Sequence, residues 1–313
     1  MYGSNITMIT QILLLGFQNQ HSVNVLIFFI LLAVYCLTVC GNFLIITLVS
    51  LSKNLHSPMY LFLSQLSVTD IMLTTNISPN MLYIIINGGA AMSFEGCITQ
   101  FYFFSVIDCS ECLLLTIMSY DRYLAICSPL KYSSIMNYMR CLKLIVMSWL
   151  ASFSVILIHI ITICKMEFCG PNVIDHFFCD FTPLLDLICS DTSLVRTEGT
   201  LLGIPILIIP FIIVIVSYVC IVHAILKIQS NTGRQKAFST CSSHLCVVSI
   251  FYGTLFCMYV LPNEGQSLTA SKILSLLYTV VTPLLNPIIY SLRNNDIKKA
   301  MGKLLDIRKV TYK

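Results

Sequence analysis

Asp70, Asp108 and Glu111 each interrupt a long run of Leu, Ile, Phe, Val and Met. A carboxylate at the centre of a hydrocarbon layer costs roughly 2.5–3.5 kcal/mol on insertion scales. Acids kept at that cost share a proton, hold a cation, line an ion path or make neutral hydrogen bonds between helices. On a helix Asp108 stands one turn from Phe104 and close to Glu111. An ionised Asp108 would favour a cationic ligand such as an amine. A protonated one, paired with Glu111 or a neighbouring hydroxyl, explains the position equally well. Cys109, Cys112 and His159 are residue types that suit a metal-assisted thiol site, although no paired metal-ligand motif accompanies them. Asp121 beside Arg122 offers an ion pair where an apolar run ends. Of 15 cysteines, most lie in apolar runs and read as small, soft hydrophobes. Cys97, Cys169, Cys179 and Cys189 differ in flanking or occupying a polar stretch, and four cysteines allow three pairings.

These residues need helices that cross a membrane to position them. The chain has 313 residues, 57% apolar and only 10% charged, with a mean hydropathy of +0.86, which excludes an ordinary soluble domain. A span takes about 20 apolar residues. Seven are legible, at 24–50, 58–82, 98–120, 142–163, 199–226, 240–261 and 272–292. Cytoplasmic loops retain Lys and Arg, and 15 of the 18 basic residues fall on one side, with Lys165, Arg196 and Lys272 on the other. That side is the cytoplasm, so the N-terminus is expected outside and the C-terminus inside. The net charge of +4 follows from this topology and is no footprint of nucleic acid. The first 20 residues lack the charged start of a cleavable signal, leaving the first span to direct insertion. Asn5 heads an Asn-Ile-Thr glycosylation acceptor in the outer tail.

The expected division is an extracellular tail at 1–23, a seven-helix bundle at 24–292 and a cytoplasmic tail at 293–313. Residues 164–198 form the one long loop, with four cysteines and six acids, expected to fold over the outer mouth as a lid. In the cytoplasmic tail, Ile297, Met301, Leu304 and Leu305 oppose Lys298, Lys299 and Lys303, the pattern of a short amphipathic helix on the inner leaflet. Pro205, Pro210, Pro283 and Pro287 each remove a helical hydrogen bond and predict bends in the fifth and seventh spans.

Four segments at the expected span ends carry a family resemblance: PMYLFLSQLSVTD at 58–70, MSYDRYLAICSPLKY at 118–132, KAFSTCSSHL at 236–245 and PLLNPIIYSLRN at 283–294. Together they resemble the vertebrate odorant receptors, in the rhodopsin-like class of G protein-coupled receptors, over essentially the whole chain. The resemblance implies an all-α seven-transmembrane bundle in the plasma membrane. Such a receptor binds a small, mostly hydrophobic odorant and activates a heterotrimeric G protein of the stimulatory olfactory type, raising cyclic AMP. It implies a cavity lined by Phe104, Ser105, Asp108, Cys109, Cys112, His159, Leu202, Ile206, Tyr252, Thr254, Leu255, Met258 and Thr279. It gathers Asp70, Glu111 and Asn286 into an internal polar site that could hold sodium or share a proton. It makes Asp121, Arg122, Tyr123 and Tyr218 the switch facing the G protein, and it pairs Cys97 with Cys179 and Cys169 with Cys189. The chain departs from the family's usual pattern at Ser128-Pro129, where His commonly precedes the proline, and at Asn80, where a basic residue is common.

Two other classes compete. In a transporter or channel the buried acids would line an ion path, but the seven spans show no internal repeat and the acids are few. An intramembrane enzyme would need a nucleophile and base, and no serine and histidine pairing stands in the spans.

Overall fold

The computed structural model describes residues 10–169, 171–259 and 268–311, without the side chains of 236, 239, 240, 259, 268, 269, 293 and 304–311. Asn5, Gly170 and Glu264 lie outside the described residues, as do the side chains of Leu304 and Leu305. In hydrocarbon every backbone amide must find its partner within its own segment, so apolar runs of this length become helices. Among the described residues there are seven helical passes. They comprise α1 (His21–Leu51), α2 (Pro58–Asn87), α3 (Phe94–Cys127) and, after the short α4 (Pro129–Ile135), α5 (Tyr138–Cys164). Following α6 (Phe181–Leu185) in the loop, the fifth pass joins α7 (Ser193–Gly203) to α8 (Ile209–Leu226). The sixth is α9 (Asn231–Tyr259), and the seventh joins α10 (Leu268–Leu276) to α11 (Thr282–Arg293). The tail forms α12 (Asn295–Thr311), an extension of the amphipathic segment expected there.

The helices overrun the spans read from hydropathy, because hydropathy marks the hydrocarbon depth and a helix continues into the polar interface. The fifth pass starts at Ser193 rather than 199: Asp191 Oδ1 accepts from Ser193 N at 2.9 Å and Ser193 Oγ at 2.5 Å, satisfying amide donors at the helix start. Those bonds hold the Asp191 carboxyl below its ordinary range. Elsewhere Ser93 and Asn137 cap α3 and α5, and Gly88, at φ +68°, ends α2. Six passes meet a simple test of length and hydropathy. The exception, α2, carries Ser67, Thr69, Asp70, Thr74 and Ser78 on its buried side, a polar face that its neighbours cover. Hydroxyls in the spans bond backward to their own helix, as Thr38 does to Val34 O and Ser249 to Leu245 O, which keeps them satisfied in lipid.

The prolines act where expected, and the form is a π turn. Ile204–Ile208 joins α7 to α8, and Leu277–Val281 joins α10 to α11. With Pro205, Pro210 and Pro283 donating nothing, the ladder shifts register in their neighbourhood. Between α1 and α11, a Cβ on Gly41 would stand 3.2 Å from Pro287 Cγ, so glycine permits that close approach.

The lid is a small sheet whose short strands leave no periodic pattern in the sequence. Strand β1 (Gln11–Leu14) pairs antiparallel with β2 (Ala90–Ser93), in the turn before α3, and parallel with β3 (Val173–Ile174) in the long loop. Ile12 and Leu14 are fully buried beneath it.

Candidate functional site

Below the lid a cavity of about 450 Å3 opens between the third, fourth, fifth and sixth passes, within the roughly 300–1,000 Å3 of small-molecule sites. Phe104, Ser105, Asp108, Cys109 and Cys112 of α3 line it with His159 of α5, Leu202 and Ile206 of the fifth pass, and Leu255 and Met258 of α9. Three expected wall residues point elsewhere. Tyr252 packs on Phe211 and donates to Cys112 O, Thr254 bonds back to Ile250 O and Phe251 O, and buried Thr279 bonds to Ser275 O. The wall also includes Asp180, Phe181 and Thr182 from the lid loop, and Arg196, Gly199 and Thr200 from α7. Hydropathy could not find Arg196 or the loop residues, which precede the apolar run that Gly199 and Thr200 open; the acid-rich loop was the available signal.

The aromatic roof is set by Phe104, which meets Phe178 edge-on at 5.2 Å and Tyr278 at 5.9 Å, while Phe181 lies over His159 at 5.2 Å. The disulfide between Cys97 and Cys179 brings the loop to the top of α3, and a second joins Cys169 to Cys189. Lys272, at the head of the seventh pass, fastens the lid from the other side. Its ammonium donates to Asp175 Oδ1 at 2.6 Å and to Gly16 O at 2.7 Å. Next to it, His176 Nε2 lies 3.2 Å from Ser275 Oγ. Burial and the nearby Lys272 ammonium push the His176 imidazole down to about 4.

On the cavity wall the Tyr278 phenol donates to Asp108 Oδ1. Of the two sequence alternatives for Asp108, the structure supplies the neighbouring hydroxyl, while the carboxyl still faces the cavity. Deeper, Asn286 Nδ2 donates to both oxygens of Asp70, at 3.0 and 3.1 Å, and also reaches Glu111. Glu111 Oε1 is buried with no hydrogen-bond partner. Two carboxylates beside one amide, one oxygen of them orphaned, form a donor set that fits a hard monovalent cation or a shared proton. Among the described residues no three His, Cys, Asp or Glu side chains converge as a metal cluster; Cys109, Cys112 and His159 share the cavity wall only. Instead His159 Nδ1 faces Glu198 Oε2 at 3.7 Å.

At the opposite end of α3, Arg122 Nη2 and Nε donate to Asp121 Oδ2 at 2.5 and 3.0 Å. Tyr132 OH donates to Asp121 Oδ1 at 2.8 Å. Pro129 starts α4 at its first turn, a position where its missing amide costs nothing, and so brings Tyr132 back to α3. Tyr218 OH lies 2.6 Å from His244 Nδ1 and is not bonded to Arg122; Tyr123 stacks on Tyr120. His244 and Tyr132 stand within the segments 236–245 and 118–132, yet nothing in their spacing reveals these partners.

The arrangement of passes is that of rhodopsin-like receptors. The crystal structure of squid rhodopsin superposes with a TM-score of 0.71 over 93% of this chain and 87% of its own, at 16% identity. A family model described as olfactory receptor matches residues 31–308. Human olfactory receptor 11L1 is 46% identical over 305 residues, covering 97% of this chain and 95% of its own length. Mouse olfactory receptor 2A7 is 44% identical over 303 residues, covering 97% and 98%. The chain belongs to the olfactory receptor family. It is thus a multi-pass plasma-membrane receptor without catalytic activity, which binds a small hydrophobic ligand and couples to a G protein.

Proposed function

We propose that this receptor binds its odorant in the cavity between α3, α5, α7 and α9 and signals through a stimulatory olfactory-type G protein that raises cyclic AMP. The observation that carries the reading is the cavity of about 450 Å3, apolar on most sides, with Asp108 and His159 among its few polar groups. Because it touches the third, fifth and sixth passes together, a ligand that fits one arrangement of these helices better than another shifts their balance. The π turns at Ile204–Ile208 and Leu277–Val281 supply points of bending. Asp121 restrains Arg122 at rest, and movement of the helices frees it to meet the G protein and Tyr218.

The N-terminus and lid face outside and α12 lies in the cytoplasm, a sidedness supported by the 15 basic residues on one face. Asn5 carries a glycan. Asp70, Glu111 and Asn286 form an internal site for sodium or a shared proton, supported by the orphaned Glu111 oxygen. A sodium ion held there by Asp70, Glu111 and Asn286 would offset the charge of one carboxylate, with a proton on the other.

The test is a cyclic AMP response in cells carrying the olfactory G protein, against amines, acids, alcohols and thiols. Wild type is compared with Asp108→Asn and Tyr278→Phe at matched surface expression. A shift of tenfold or more in half-maximal concentration for Asp108→Asn is expected. Unchanged potency for every active compound in both variants would remove Asp108 from the ligand site.

A further inference from the structure

A second cavity, of about 620 Å3, lies at the far end of the molecule from the odorant site. It runs between the turn after α1 and the first two turns of α12, and it is lined by Lys53, Lys299 and Lys303 over a floor of Leu48 and Ala300. All three lysines are exposed, and none makes an ion pair among the described residues. Lys299 and Lys303 are one turn apart on the same helix, an i, i+4 like-charge pair that weakens a helix unless an anion sits between them. The one acid in the wall, Asp296, is engaged: its carboxylate accepts from Tyr60 OH at 3.1 Å. Asn294 caps the helix and its Oδ1 shares the single Tyr60 hydroxyl proton with Asp296, so the groove is held on α2 as well as α1. Ile297 is fully buried, which pins α12 against the bundle with its lysines turned outward.

We propose that this groove binds the polyphosphorylated headgroup of an anionic membrane phospholipid. Three ammonium groups against the single Asp296 carboxylate leave the cavity wall net positive, which matches a multiply charged anion. Leu51, two-thirds exposed at the end of α1, borders the same groove and gives acyl chains an apolar exit, which a soluble phosphate would not use. The site rests on the cytoplasmic placement of α12, since lipids of that charge belong to the inner leaflet.

The test uses the purified full-length receptor in neutral detergent. Titrations use dioctanoyl phosphatidylinositol 4,5-bisphosphate, dioctanoyl phosphatidylserine and inositol 1,4,5-trisphosphate, with bound lipid read by native mass spectrometry. The bisphosphate lipid is expected to bind at least tenfold more tightly than either comparator. Its affinity should fall at least tenfold in the combined Lys53→Gln, Lys299→Gln and Lys303→Gln variant and survive when the same positions become Arg. No binding, or equal binding by the glutamine variant, overturns the proposal; soluble trisphosphate binding as tightly as the lipid overturns its membrane source. Detergent removes sidedness from the measurement. An error in topology would therefore appear separately, as outside labelling of a C-terminal epitope on intact cells.

Discussion

Asp121 is fully buried and shared between two partners, Arg122 on its own helix and Tyr132 on α4. Removing its charge leaves the buried guanidinium without its counter-ion, and breaking a buried pair costs about 3–5 kcal/mol. The resting arrangement loses more than one in which Arg122 finds a G protein. Asp121→Asn is therefore expected to raise basal cyclic AMP several-fold without odorant; basal signalling at the wild-type level would show that the pair does not restrain the receptor. Asp121-Arg122 was legible because an acid and a base stood together at a span end. Tyr132 and His244 were not, since contacts across 11 and 26 residues depend on how α4 and α9 pack.

Among the elements, the lid depends on two residues at the head of the seventh pass and the loop it meets. Lys272 joins α10 to the segment after β1 and to the residue after β3. Hydrogen bonds to a charged group contribute about 1.5–3 kcal/mol each. Lys272→Met should loosen the sheet, read as faster hydrogen exchange over 11–16 and 173–178 and faster ligand dissociation; unchanged exchange would place the hold elsewhere. His176 gives the lid a pH dependence. Its folded pKa of about 4 lies below the ordinary 6.5, so the folded ring stays neutral while an unfolded one takes up a proton. Stability from this group is complete above pH 6.5 and declines as pH falls towards 4, by on the order of 3 kcal/mol in full. Proteolysis of the loop should accelerate between pH 7 and 5, and His176→Gln should flatten that response. Hydropathy located the loop, and the cysteines implied a lid. The pairing of β1 with two distant strands was invisible, because strands of four and two residues leave no periodic signal.

For the whole molecule, the disulfide from Cys97 to Cys179 closes a separation of 82 residues, and that from Cys169 to Cys189 one of 20. Chain-entropy estimates give about 4.5 and about 3.3 kcal/mol, but the first also anchors the lid to the top of α3, where Cys179 N donates to Gln100 Oε1. Cys97→Ser should lower thermal stability and surface expression more than Cys169→Ser. Equal losses would mean that closing the outer loop matters as much as tethering it.

Composition and the spacing of apolar runs by themselves determined a helical membrane bundle, because hydrocarbon admits almost no other backbone solution. The basic residues pointed to its sidedness, and four motifs to its family. Tertiary structure alone decided which side chains face the cavity. It turned Tyr252, Thr254 and Thr279 away and brought in Asp180 and Arg196. It also gave Asp108 to Tyr278, 170 residues distant. Rotation of a helix about its axis, the π turns and the path of a cross-linked loop set those facings. They follow from packing among all seven passes, which no single stretch of sequence contains.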